Sequence, residues 1–101
     1  MQMLMLVFRE SLEAEIQELF QELKVTSFTQ MPKVLGMGET GTAFNSFESP
    51  GCNSMILVAM EDGKVQSVLE RLKGFRDKLS QRQHGTTIPL RVFVLPCHSV
   101  L

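Results

Sequence analysis

The chain has no tryptophan and no tyrosine; its only aromatic residues are seven phenylalanines. A surface that stacks bases on rings along its strands is therefore poorly supplied. Cysteine is scarce, with Cys52 and Cys97 alone and no Cys-x-x-Cys spacing. In a reducing compartment two such residues are read as thiols, not as a staple. Neither sign of charge is in excess: ten Lys and Arg stand against eleven Asp and Glu, a formal net charge of −1. Nothing global draws the chain to nucleic acid or to an anionic membrane. Long apolar runs are absent too. Residues 3–8 and 55–60 are the longest, far short of the roughly 20 residues a membrane-spanning helix needs. No basic segment followed by an apolar stretch and a cleavage site opens the sequence. No signal peptide is read, and a cytoplasmic location is expected.

What is present suffices for a core. Of 101 residues, 44% are hydrophobic and 21% charged, which gives room for one domain over 1–101. Residues 3–9 form a continuous apolar run without turn residues and read as a strand buried on both faces. Ser11 is the expected N-cap of a first helix, with Glu13 and Glu15 in its first turn, where carboxylates suit the positive end of the dipole. Leu12, Ile16, Leu19, Phe20 and Leu23 make its apolar stripe. Residues 25–35 read as a weaker second strand. Pro32 lies within it and cannot donate to a central ladder, so this strand is expected at an edge or at a bulge. Residues 36–53, with Gly36, Gly38, Gly41, Pro50 and Gly51, are expected to be a long loop of the kind that carries function.

Residues 54–61 repeat the apolar pattern and read as a third strand. Asp62 is the expected N-cap of a second helix with the stripe Val65, Val68, Leu69, Leu72, Phe75 and Leu79. Gly74 falls inside it and is expected to allow close packing against a strand. Residues 80–87 form a polar loop, and 88–95 a fourth strand that opens at Pro89. Met1, Met3, Met5, Met55 and Met60 are expected as core filler.

The order β-α-β-β-α-β, with right-handed crossovers, predicts an α+β ferredoxin-like domain: a four-stranded antiparallel sheet with both helices on one face. The proline-free strands take the centre and the two proline-bearing strands the edges. Alternate side chains of the central strands then face away from the helices. Soluble monomers rarely leave so apolar a patch in water, so another copy of the chain is expected to cover it.

At Val34-Leu35-Gly36-Met37-Gly38-Glu39-Thr40-Gly41 the sequence resembles the PII signal-transduction proteins and their PII-like relatives, at the start of what they use as a T-loop. Phe93-Val94-Leu95-Pro96 is similar to their last strand, and the resemblance spans nearly the whole chain. It implies a homotrimer that binds an adenine nucleotide (ADP, AMP or ATP) or another small anion in clefts between subunits. It also implies a loop that responds by docking on a target protein such as a transporter or an enzyme. Carried over by position, Gly36, Met37, Gly38, Glu39 and Thr40 lie at the loop base near the ligand. Glycine there lets main-chain N–H groups approach an anion. The family's Gly-Asp-Gly-Lys motif is missing, and Gln83-His84-Gly85-Thr86-Thr87-Ile88-Pro89-Leu90 stands in its place. The cations left nearby are Arg82, His84 and Arg91, of which His84 and Arg91 are taken as ligand contacts. This departure points away from the family's typical ATP binding and toward a smaller or different ligand. The tyrosine that the family modifies by uridylylation has no counterpart.

Phe44 and Phe47 are candidate anchors for a partner, since an aromatic offers large contact area at low entropic cost. No catalytic set is legible. Cys97 and His98 are adjacent on an extended chain and point to opposite sides, so they do not form a nucleophile–base pair. A trimeric metal-binding protein of the CutA-like kind is the alternative, and would need Cys52, Cys97, His98 and His84 to converge. The acidic residues from Glu10 to Glu22 and the cations from Lys64 to Lys78 are read as two solvated helix faces.

Overall fold

The computed structural model describes residues 1–35, 37–38, 41–42, 52–85 and 87–101. The elements run β1 (Gln2–Arg9), a 3-10 turn (Glu10–Leu12), α1 (Glu13–Glu22), β2 (Thr29–Val34), β3 (Met37–Gly38), β4 (Gly41–Thr42), β5 (Asn53–Met60), α2 (Asp62–Arg82) and β6 (Leu90–Pro96). Four strands make one antiparallel sheet in the order β2-β5-β1-β6, and β3 pairs with β4 as a separate two-residue hairpin. This is the expected α+β, ferredoxin-like arrangement. The two proline-free apolar strands hold the centre. Pro32 sits on an edge strand and at a bulge: the β2–β5 register shifts between Met31 and Val34, and Lys33 takes φ +57°.

The helices cover one face. Leu4, Leu6 and Phe8 of β1 and Ile56, Val58 and Met60 of β5 point into them and are buried with Leu12, Ile16, Leu19, Phe20, Val65, Val68, Leu72 and Leu79. Both expected stripes are therefore real; Leu23, Leu69 and Phe75 pack at the margin of the cluster. Phe20 also meets Phe28 edge-on, with ring centroids 5.3 Å apart. Burying each such side chain contributes roughly 1.5–3 kcal/mol.

Several local expectations are corrected. Neither central strand is buried on both faces within the chain. Met3, Met5, Val7, Met55 and Leu57 stay half-buried on the uncovered face, so of the methionines expected in the core only Met60 is there. Residues 25–28 do not join the sheet; Val25 is buried and Phe28 is drawn against Phe20 before β2 begins. Ser11 is not a cap, because it lies inside the 3-10 turn and α1 is preceded by Leu12. Asp62 is the first residue of α2, behind Glu61. Its carboxylate lies 3.0 Å from the Met1 amino group, and that hydrogen bond raises the pKa of the amine. Gly74 packs against no other element among the described residues: apart from its own helix, a Cβ built there meets no atom of theirs within 4 Å.

Both helices end in the same way. In α1, the Val25 N–H donates to the Phe20 carbonyl (2.8 Å) and Lys24 N–H to Gln21 (3.1 Å). In α2, the Gly85 N–H donates to Ser80 (2.7 Å) and His84 N–H to Gln81 (3.2 Å). These paired bonds define Schellman motifs, whose turning residue is left-handed and usually glycine. Here the turning residues are Lys24 and His84, each at φ +58°.

Candidate functional site

The ladder places several chain segments in a row at one end of the sheet. Arg9 pairs with Asn53, Phe8 with Leu90, and Val34 also with Asn53. Thus β1 and β2 end where β5 and β6 begin. Because α2 starts after Met60, at the opposite end, its C-terminus returns to this row. The turn at His84 and Gly85 lies beyond it.

The candidate ligand residues divide here. Gly36, Glu39 and Thr40 lie outside the described residues, as do Phe44 and Phe47. Met37 and Gly38 form one side of the short hairpin, paired with Thr42 and Gly41. His84 and Arg91 are exposed at the row, on different faces. Arg91 pairs with Val7 and therefore shares its uncovered face. His84 sits in the cap of α2, on the helix side.

Cationic charge gathers on the helix side of this end. Lys78, Gln81 and Arg82 line a shallow recess of about 450 Å³ at the C-terminal end of α2. Arg82 occupies the last turn, where a cation suits the negative end of the helix dipole. A second groove, of about 250 Å³, runs between α2 and β6. Its floor is Leu69, Leu72, Leu90, Val92 and Val94, and Lys73 and Arg76 flank it. None of the ligand or partner residues expected from the sequence lines it.

The residues of the metal alternative separate along the sheet. Cys52 adjoins Asn53 at the row just described, together with His84. Cys97 and His98 follow Pro96, which pairs with Gln2 at the far end. Among the described residues no three His, Cys, Asp or Glu side chains cluster to hold a metal ion.

Glu10 was missed as a site residue. Read with the acidic helix face, it is engaged instead: its carboxylate accepts the Cys52 N–H at 3.3 Å. Glu13 likewise accepts from Gln30 Nε2 at 2.7 Å, and Gln30 in turn accepts from Gln17, which ties β2 to α1. Glu22 pairs with Arg71 across the two helices. An acid placed where a strand passes directly into a helical turn was the one available signal for Glu10.

The family model of the nitrogen regulatory protein P-II matches residues 1–101. The chain belongs to this family. No curated protein matches the chain. Among solved structures, this P-II family chain is similar in fold to CPII, a nitrogen regulatory PII-like protein from Thiomonas intermedia K12. One CPII structure, bound to ADP, AMP and bicarbonate, superposes with a TM-score of 0.67 at 19% identity, covering 93% of this chain and 88% of that one. A second with the same ligands gives 0.70 at 19% identity, over 92% and 81%. A third, bound to ADP and bicarbonate, gives 0.69 at 18% identity, again over 92% and 81%. No helix among the described residues of the P-II chain is long and apolar enough to cross a membrane.

The uncovered face of the sheet completes the geometry. Cross-strand partners share a face, so Met5 lies between Leu57 and Phe93, and Met3 between Ala59 and Leu95. Val7 stands beside Met55, which itself pairs with Met31. Phe93 and Leu95 keep 48% and 40% of their surface exposed, too much for a core-forming ladder left to itself.

Proposed function

We propose that this P-II family chain is a cytoplasmic regulatory protein, acting as a single domain over 1–101 and not as an enzyme. It assembles as a trimer, takes a small anionic effector at the seams between copies, and presents residues 36–53 to a partner protein. The uncovered apolar face carries the reading. The ladder from Met31 through Met55, Val7, Met5, Leu57 and Phe93 to Leu95 gives neighbouring copies a surface to bury. Packing copies face to face brings the row of strand ends on each to a shared seam. Arg91, on the uncovered face, then lies toward a neighbour, and a cleft made by two chains unites cations that one chain keeps apart.

The effector is an adenine nucleotide or a smaller anion. The CPII proteins of similar fold are bound to ADP, AMP and bicarbonate. The turn after α2 offers His84, beside Arg82 of the last helical turn, and residues 83–90 hold no lysine, which suits fewer phosphates than ATP carries. Residues 36–40 at the loop base, with His84 and Arg91, are the proposed ligand contacts, and Phe44 and Phe47 the proposed partner contacts.

Two measurements test this. Light scattering on the purified chain should give three times the chain mass, and Leu57→Glu should give a monomer. Calorimetric titration with ADP, AMP and bicarbonate should show saturable binding to the assembled form that is lost in Leu57→Glu. A monodisperse wild-type monomer that binds none of the three would overturn the reading.

A further inference from the structure

Two neighbouring residues at the end of β1 hold two distant segments. The Arg9 N–H donates to the Pro89 carbonyl at 3.1 Å, at the end of the turn between α2 and β6. The Glu10 N–H donates to the Cys52 carbonyl at 2.9 Å, where the chain re-enters the sheet. A regular antiparallel pair would return a second bond, from the Cys52 N–H to the Glu10 carbonyl. That carbonyl instead accepts the Glu13 N–H that closes the 3-10 turn. The Glu10 carboxylate replaces it, with Oε2 3.3 Å from the Cys52 nitrogen. One side chain thus carries the β1–β5 ladder a step past the point where β1 has become helix.

We propose that Glu10 is a positioning residue that couples the turn after α2 to the start of β5. The functional meaning rests on the reading above, in which that turn bears His84 and β5 receives the end of segment 36–53. Pro89 and Cys52 are fastened to consecutive amides, so a shift of the turn at Arg9 is delivered to Glu10. Glu10 grips Cys52 at both its carbonyl and its amide. The second bond, at 3.3 Å, is the longer of the two, but two bonds transmit a rotation that one would let slip. An effector that settles the turn therefore settles the root of β5, and the reverse holds with equal strength, since such coupling is reciprocal.

The test needs no effector. Amide exchange is followed by NMR on the whole chain. Glu10→Ala should speed exchange of the Cys52 amide by up to about tenfold, the loss expected for one hydrogen bond. Glu10→Gln keeps an accepting oxygen and should restore most of the protection. Gly85→Ala then serves to disturb the turn, because Gly85 stands at φ +80°. It should speed Cys52 exchange in the wild-type background and in Glu10→Gln, with at least a threefold smaller increment in Glu10→Ala, as expected for coupled residues. Equal increments in all three backgrounds would overturn the coupling. Unchanged Cys52 exchange in Glu10→Ala would overturn the role of the carboxylate. In a parallel arm, ADP should slow Cys52 exchange in the wild type and in Glu10→Gln but not in Glu10→Ala. A wild type that binds no ADP, AMP or bicarbonate removes the functional reading, while the effector-free comparison still decides the coupling.

Discussion

Replacing His84 by glycine should make the protein more stable. His84 is the turning residue of the cap that ends α2, at φ +58°. An L-residue in that left-handed conformation costs about 1–2 kcal/mol. Glycine removes that strain but gives the unfolded chain more freedom, which takes back about 0.4–1 kcal/mol. The net gain is centred on about 0.8 kcal/mol, within a range of roughly 0–1.6, or ~3–6 °C in Tm at the centre for a domain of this size. Calorimetry of His84→Gly and wild type at one protein concentration measures it; the concentration must match because assembly itself shifts Tm. Lys24→Gly, with the same geometry at the end of α1, is the internal control. If both variants are neutral or less stable, the strain argument is wrong. The same variant also reports on function. Strain retained in a native fold is a reason to look for a second role for the residue. If the imidazole meets an anionic effector, titration with AMP should show affinity lower by about tenfold or more, the equivalent of one charged hydrogen bond. Unchanged AMP affinity in the stabilised variant would remove His84 from the ligand site.

Gly74→Ala should also stabilise, by about 0.5–1 kcal/mol, since the position is helical and open; urea unfolding checks it, and a loss of stability would show that assembly brings another surface against Gly74. Ser54→Ala should raise the unfolding midpoint or leave it unchanged. The Ser54 Oγ is buried on the helix side of β5 and has no hydrogen-bond partner among the described residues, so its removal relieves an unmet desolvation cost of about 1–3 kcal/mol. A marked drop in the urea midpoint would mean that the hydroxyl is satisfied. Ile16→Ala should cost about 2–5 kcal/mol, because Ile16 is fully enclosed between α1 and the sheet; a loss under 1 kcal/mol would show that the core there collapses around the gap.

The sheet order was legible because its signals are chemical prohibitions. Proline cannot serve a central ladder, and continuous apolar strands are ill placed at a wet edge, so Pro32 and the runs around Leu6 and Val58 separated edge from centre, and the element order with right-handed crossovers did the rest. The helical stripes were legible for the same reason of period. The ends of elements were not. Ser11 and Asp62 carry good capping chemistry, yet Ser11 is absorbed into the 3-10 turn and the Asp62 carboxylate meets the Met1 amine. Residues 25–28 have strand-like composition but stay off the ladder, with Val25 buried and Phe28 edge-on to Phe20. Gly74 suggested close packing, a tertiary property that a single residue does not report. At the candidate site, the sequence supplied a likeness at residues 34–41 and a set of cations. It did not reveal that Arg91 and His84 lie on different faces, which follows only from the register of β6, nor that Glu10 is committed to Cys52.

The central place of β1 has a consequence for synthesis in the cell. It is translated first, yet its two neighbours are β5 and β6, the last strands to be made. At ~5–20 residues per second, its most apolar stretch waits roughly 4–20 s after leaving the ribosome for the strand that closes its second side. Until β5 and α2 have followed, only α1 is at hand to shelter Leu4, Leu6 and Phe8. The early helix therefore acts first as a guardian of the nascent chain and only later as one layer of the finished domain.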